Sequence, residues 1–566
     1  MRLIHNSRLS QFRSPFGAVE KGTDVTLSVL VEDAEPRTIS IDLRVWIDGK
    51  GETIIPLRYE ADGIFTVTLP CPEPALMWYR FNVTATFEDS TRTLYLGAPE
   101  GRTGGEGATY TYPECPSFQL TVYKHRAIRP SWYERGMVYQ IFPDRYRRDA
   151  AWRERCERVL EQPKAGIPRR IVEDWDEPPC YERAEDGSIA SWDFYGGSLK
   201  GITADLDRLA EMGITAIYLN PIFEAASNHR YDTADYLKID PMLGTEEDFR
   251  ELCEEAGTRG ISIILDGVFN HTGRDFFAFK DIQKNREHSQ YLNWYCNVNF
   301  WGNNEYNDGF SYDNWGGYNL LVKLNQRNPE VQNYICDVIR YWVSEFDVDG
   351  IRLDAADVLD FDFMRALRRT AEEVKPDFWL MGEVIHGDYS RWVNGETLHS
   401  VTNYALHKAL YSGHNDHNYF EIAHTVKYLQ NMGNLDLYNF VDNHDVERIY
   451  TKLSNKAHFN PVHVLLYTLP GVPSIYYGSE FGIEGRKERS SDDSLRPALV
   501  LADYADAKET NPCTALVAAL GKIRQNTPAL SYGSYAELQL TNRQFAFARD
   551  LDGVRVVVTV NNDDND

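Results

Sequence analysis

The chain has 566 residues, too many for one compact core, so two to four domains are expected. Its 85 acidic residues against 59 Lys and Arg give a formal net charge of -26, which excludes a phosphate-backbone binder because no basic run exists to release counterions from nucleic acid. No window approaches the apolar length needed to span a bilayer, and "MRLIHNSRLSQFRSPFG" lacks the apolar core of a signal peptide, so a cytoplasmic protein without membrane contact is expected.

Residues from about 20 to 125 read as short strands separated by Gly, Pro and Asp turns: "DVTLSVLVED", "ISIDLRVWIDG", "GIFTVTLP", "MWYRFNVTATF" and "SFQLTVYKH". Such spacing predicts an N-terminal β-sandwich over residues 1–125. From Met137 the pattern changes to apolar strand-like runs alternating with helical periods. The runs "MVYQIF", "ITAIYL", "ISIIL", "DGIRL", "FWLMG", "SVTNY", "LYNFV" and "PSIYY" number eight, which predicts an α/β fold, a (β/α)8 TIM barrel over residues 126–528.

Two connections are too long for plain barrel loops, residues 143–195 and 272–325, and both are expected to serve the site. The second, inserted after the third strand, carries Trp294, Tyr295, Trp301, Tyr306, Tyr312, Trp315 and Tyr318. Those rings either build a lid or pack the insertion's own core, with about half expected to do the latter. Beyond 528 the chain reads as a short C-terminal β segment over 529–566, the start of a second β domain rather than a complete one. The eight cysteines are scattered, without CxxC or Cys/His spacing, so reduced thiols are expected and no zinc site.

Four of the apolar strands finish in acid. "ISIIL" runs into Asp266, "DGIRL" into Asp354, "FWLMG" into Glu383 and "LYNFV" into "DNHD", residues 442–445. In a barrel the strand C-termini share one rim, so these carboxylates would converge there. One charged strand end alone is more often a helix cap or a structural ion pair. Four together, with Arg352, His271 and His444 beside them, point to a working site. Converging carboxylates suit acid/base and nucleophilic work on a glycosidic bond. Phosphoryl transfer fits less well, since "YGGS" at 195–198 is too short for a phosphate loop, and the dispersed histidines give no HxxxH metal pair.

These residues resemble the α-amylase family, glycoside hydrolase family 13. "DGVFNH" (266–271), "DGIRLDAAD" (349–357), "MGEV" (381–384) and "FVDNHD" (440–445) are similar to the family's four conserved blocks in order. "LNPIFEAASNHRYDTADY" (219–236), "LVKLN" (321–325) and an N-terminal β domain resemble the neopullulanase, cyclomaltodextrinase and maltogenic amylase branch. Leu321-Val322 departs from that branch's Met-Pro, and "AADVLD" after Asp354 departs from its Val-Ala-Asn-Glu, which leaves linkage preference open.

The resemblance implies that Asp354 is the nucleophile, Glu383 the acid/base and Asp445 the transition-state stabiliser. Tyr231, His271, Arg352 and His444 would bind substrate, and Asp266 would orient Arg352. Arg352 would keep Asp354 ionised, while the charges of Asp354 and Asp445 would keep Glu383 protonated. A retaining pair stands about 5–5.5 Å apart and releases the α-anomer first.

The activity implied is retaining hydrolysis of α-1,4 bonds in maltooligosaccharides, cyclodextrins or starch fragments, with short or cyclic glucans preferred over whole starch. A 4-α-glucanotransferase is the near alternative, and a non-catalytic barrel or glucan-binding protein the distant one. No cofactor is required by this reading. Calcium is not supported, because "DRYRRDAAW" (144–152) replaces the usual oxygen-rich first-strand loop, although Asn270 remains as an oxygen ligand. A homodimer is the partner the branch implies, besides α-glucan oligosaccharides.

Overall fold

In this computed structural model, residues 1–15, 19–32, 36–100, 105–123, 130–160, 168–178, 190–433, 435–488 and 491–563 are described. They divide into two compact units, one of Met1–Ile128 with Gly387–Glu396 and Phe420–Leu435, the other of Arg129–His386 with Thr397–Tyr419 and Asp436–Asp566.

The first unit holds two sheets. One is built on Thr23–Glu32, paired antiparallel with Arg2–Ile4 and Ile64–Cys71; the other on Ala75–Thr86, paired with Thr38–Ile47, Thr91–Gly97 and Phe118–Tyr123. Side chains alternate along a strand, so every second residue points inward. Val25, Leu27 and Val29 of the first sheet share one core with Ile41, Leu43, Val45, Phe81 and Val83 of the second. Burying each of these contributes roughly 1.5–3 kcal/mol.

The second unit is the barrel. Its strands are β1 (Val138–Ile141), β2 (Ala216–Leu219), β3 (Ser262–Gly267), β4 (Gly350–Leu353), β5 (Trp379–Gly382), β6 (Ser400–Val401), β7 (Tyr438–Asn439) and β8 (Val472–Tyr476). All pairings are parallel, in the order β6-β5-β4-β3-β2-β1-β8-β7. A single parallel bridge from Thr402 to Tyr438 joins β6 to β7 and closes the ring. β1, β2, β4 and β5 are buried at every residue, which explains their continuous apolar runs: both faces of a parallel strand are covered.

The outer helices show why the faces match. Pro329–Phe346 starts at Asn328, whose side chain accepts from Glu330 N–H, and buries Val331, Ile335, Val338, Ile339, Trp342 and Phe346 on one stripe. Trp342 stacks on Phe223, ring centres 4.4 Å apart and 2° from parallel. Trp342→Ala would break this contact at a cost of about 3–5 kcal/mol.

Between β3 and β4 the insertion folds as a helix, Phe277–Asn285, and a three-stranded sheet in which Tyr318–Lys323 pairs with both His271–Thr272 and Asn314–Trp315. The connection after β1 contains a helix, Trp152–Leu160, and a parallel pair, Arg169–Ile171 with Trp192–Phe194; residues 161–167 and 179–189 of that long loop lie outside the described residues. The chain ends in an antiparallel sheet of Ser534–Leu540, Gln544–Leu551 and Val554–Asn561. Seven cysteines are free thiols, and Cys180 lies outside the described residues. Among the described residues no helix is long and apolar enough to cross a membrane.

Candidate active site

Register brings the charges together. Asp266, Arg352 and Met381 are neighbours across β3, β4 and β5, and the ladder runs on past the strand ends through Asp354 N–H to Gly267 O at 3.1 Å and Glu383 N–H to Leu353 O at 2.9 Å. Arg352 and Asp354, two apart, share a face. A Cβ on Gly382 would lie 2.7 Å from Ala356 Cβ, so glycine there lets the turn after β4 close against β5.

Arg352 is the hub. Its Nη1 donates to Asp266 Oδ1 at 3.0 Å and to Asp354 Oδ1 at 2.9 Å, and its Nη2 stands 2.9 Å from Glu383 Oε2. Ala355, next to Asp354, adopts a left-handed φ of 48°, and its N–H donates to Glu383 Oε2 at 3.0 Å. A non-glycine residue in that region is strained by about 1–3 kcal/mol and is held only by well-packed surroundings.

A second chain of hydrogen bonds leads from Asp266 to His444. Tyr218 and Tyr231 hydroxyls donate to Asp266 Oδ2 at 2.6 and 2.9 Å. With the Tyr231 proton so committed, His444 Nε2, 2.7 Å away, donates to the Tyr231 oxygen, and Gln140 Nε2 donates to His444 Nδ1 at 2.9 Å. These partners assign the neutral Nε2–H tautomer. The rings of Tyr231 and His444 stack, 5.7 Å apart and 9° from parallel.

Asp445 sits beside this chain, 3.2 Å from His444 Nε2 and accepting from Arg496 Nη2 at 3.0 Å. Arg496 Nε also donates to His444 O at 3.0 Å. The structure thus brings Asp266, Tyr231, Arg352, Asp354, Glu383, His444 and Asp445 into one connected network. The neighbouring Asp442 faces elsewhere, accepting from Ile449 N–H and Ser479 Oγ at 2.8 Å each.

Burial, more than charge, sets the protonation here. It pushes Asp354 well above the usual carboxylate range, with Arg352 opposing and the Glu383 and Asp266 carboxylates adding to the rise. Arg352 acts in the expected direction, favouring the ionised Asp354, but against the larger effect of burial. Glu383 is also raised, first by burial, against Arg352 and with help from Asp445. The neighbouring negative charge that sequence reasoning made the cause is secondary. Asp354 and Glu383, two of the three carboxyls paired with Arg352, are thus both raised and titrate as a coupled pair.

Asp445 goes the other way. Burial pushes it up, but His444, Arg496, Arg352 and Lys487 take it down to about 2. Burial lowers His444 to about 3, so at neutral pH it helps only as an N–H donor, and Arg496 is the adjacent cation that lasts. Arg496 carries no motif that marks it in the sequence. Gln140 and Tyr218 did leave a signal, since each is a polar-tipped residue inside a run otherwise apolar.

His271 is buried, lowered by burial to about 3, and its Nε2 has no hydrogen-bond partner among the described residues. Asn270 Oδ1 accepts from Lys323 Nζ at 3.2 Å and from Gln326 Nε2 at 3.1 Å. In the first-strand loop, Asp144 and Asp149 are engaged by Arg145 at 3.1 Å and Arg155 at 2.7 Å. Asn270 Oδ1, Asp144 Oδ2 and Asp149 Oδ2 are thus each engaged by a cation, whereas the buried Asp144 Oδ1 has no hydrogen-bond partner among the described residues. Among the described residues no three His, Cys, Asp or Glu side chains are grouped to hold a metal.

Residues 140–528 match the family described as Alpha amylase, catalytic domain. A cyclomaltodextrinase from Thermoanaerobacter pseudethanolicus is 34% identical over 444 residues, spanning 76% of this chain and 71% of the relative. Neopullulanase 2 of Thermoactinomyces vulgaris is 33% identical over 501 residues, 84% of this chain and 79% of the relative. Among solved structures, the type III pullulan hydrolase from Thermococcus kodakarensis aligns with a TM-score of 0.68 at 27% identity, covering 99% of this chain and 94% of that one. With the four motif blocks at the strand ends of a closed parallel barrel and this match across its length, the chain belongs to the α-amylase family of glycoside hydrolases.

Proposed function

We propose that the protein hydrolyses α-1,4-glucosidic bonds in short or cyclic α-glucans, with retention at the anomeric carbon. The observation that carries this reading is the Arg352 guanidinium, which ties Asp354 and Glu383 side by side in one buried network with Asp445. Asp354 attacks C1 of the bound glucose as the C1–O bond breaks, and the Glu383 proton passes to the departing oxygen. Water then attacks C1, returns a proton to Glu383 and frees Asp354. Asp445, ionised from about pH 2 upward, steadies the positive charge that develops at the ring. Tyr231, His271 and His444 hold the sugar.

The named relatives, a cyclomaltodextrinase and a neopullulanase, support the substrate class. A product profile on maltoheptaose, β-cyclodextrin, pullulan and soluble starch tests it. Products longer than the substrate would favour a glucanotransferase, and faster cleavage of starch per bond would remove the preference for short chains. We read the enzyme as independent of calcium, supported by the cations already at Asn270 and the first-strand loop, and as cytoplasmic, supported by the seven free thiols among the described residues. A homodimer belongs to the same reading on the family resemblance, and sedimentation at micromolar concentration tests it.

A further inference from the structure

A cavity of about 510 Å³ lies between the loop after β1, the helix Leu206–Glu211 and the loop after β8, and no residue of the carboxylate network lines it. Its three arginines are not alike. Arg208 is spent on two carboxylates, its Nε and Nη2 donating to Asp205 at 3.0 and 2.8 Å and its Nη1 to Glu480 Oε1 at 3.1 Å. Arg148 meets main chain instead: it donates to Tyr195 O at 2.7 Å, to Glu173 O at 3.0 Å and to Val172 O, while the ring centres of Trp152 and Trp175 lie 3.6 and 4.4 Å from its guanidinium carbon. A guanidinium carries five N–H donors, so this rigidly held cation keeps some to spare. Arg147 donates to Ala204 O at 3.1 Å and stands 3.9 Å from Asp205, an acid already bonded to Arg208 and Tyr146. The loop after β8 adds an aliphatic wall of Leu499, Val500 and Leu501.

We propose that this cavity is a second ligand site and takes a nucleoside monophosphate, the phosphate on Arg147 and Arg148 and the base against the wall of Leu499 to Leu501. In a chain of formal net charge -26, two adjacent cations with donors to spare reverse the local sign, which complements an anion. Phosphate oxygens accept charge-assisted hydrogen bonds, about twice as strong as neutral ones. The apolar wall calls for a flat body attached to that anion, and the volume falls within the roughly 300–1,000 Å³ of small-molecule sites. A single phosphate needs only this pocket, whereas a nucleic-acid strand needs the long basic run that the chain lacks.

Isothermal titration calorimetry of the full chain with adenosine monophosphate tests this. One site with Kd below about 1 mM is expected in about 50 mM salt, weakening several-fold in about 300 mM as the charges are screened. Adenosine, which lacks the anion, and inorganic phosphate, which lacks the base, should each bind at least about tenfold more weakly. Arg147→Met removes a cation whose side chain is 39% exposed, and Ala502→Glu sets a negative charge at an exposed position of the lining. Each should weaken binding about tenfold or more while Tm stays within about 2 °C of wild type, and if one variant unfolds the other decides. Absence of binding, an unchanged Kd in a folded variant, or inorganic phosphate binding as tightly as the nucleotide overturns the proposal. An Asp354→Asn enzyme saturated with maltoheptaose should bind the nucleotide unchanged; displacement by the sugar would place it in the glucan cleft and equally overturn the proposal.

Discussion

Replacing Arg352 by Met would keep the length of the side chain and remove the one cation that Asp266, Asp354 and Glu383 share at 2.9–3.0 Å. Breaking a buried pair by deleting one partner costs about 3–5 kcal/mol, because the charge left behind has no compensation. An unfolding entropy of about 2 cal/mol/K per residue makes each kcal/mol worth roughly 1.2 °C in a unit of this size, so Tm should fall by about 4–6 °C. The loss should depend on pH with a definite sign. Burial already raises all three carboxyls, so the folded state binds more protons than the unfolded chain, and stability declines as pH climbs from the unfolded values near 4 through the folded ones. Without Arg352 they rise further. The deficit should therefore be small at pH 5 and largest at pH 8, measured by thermal unfolding of both proteins in the two buffers. Hydrolysis of maltoheptaose should fall by about 10²–10³ at either pH. An equal Tm deficit at pH 5 and pH 8 would refute the coupling of these carboxyls to Arg352.

Asp354→Asn should lower kcat by several orders of magnitude, and Glu383→Gln should be least harmful on α-glucosyl fluoride, whose leaving group needs little protonation. NMR of the wild-type reaction should show the α-anomer first; an initial β-anomer, or an Asp354→Asn enzyme keeping more than about a tenth of the rate, would overturn these roles. Arg496→Gln should raise the pKa of the Asp445 carboxyl, since it removes the lasting cation beside it; NMR titration of that carboxyl checks this, and an unmoved value would assign the depression to other neighbours. Dialysis against EDTA should leave activity intact; loss recovered only by added calcium would show that Lys323 does not take the place of a metal at Asn270.

The sequence by itself determined the barrel and the place of its chemistry. Eight apolar runs separated by helical periods can bury both faces only as a parallel sheet under a layer of helices, and acids at their ends must then share a rim. Asp266, Asp354 and Glu383 were legible for that reason, as local interruptions of an apolar pattern. Tertiary structure alone decided what those acids touch. Gln140 meets His444 across 304 positions of chain and Arg496 meets Asp445 across 51, contacts created by ring closure between β1, β7 and β8 and by the loop after β8. It also sorted the rings of the insertion into core and surface, since every Trp and Tyr there has the same local signature and only burial separates Trp294 from Trp315. The proton at the site was beyond the sequence for the same reason. A charge pattern shows which groups attract, whereas the cost of desolvating them, the larger effect at Asp354 and Glu383, depends on how much of the folded chain surrounds each one.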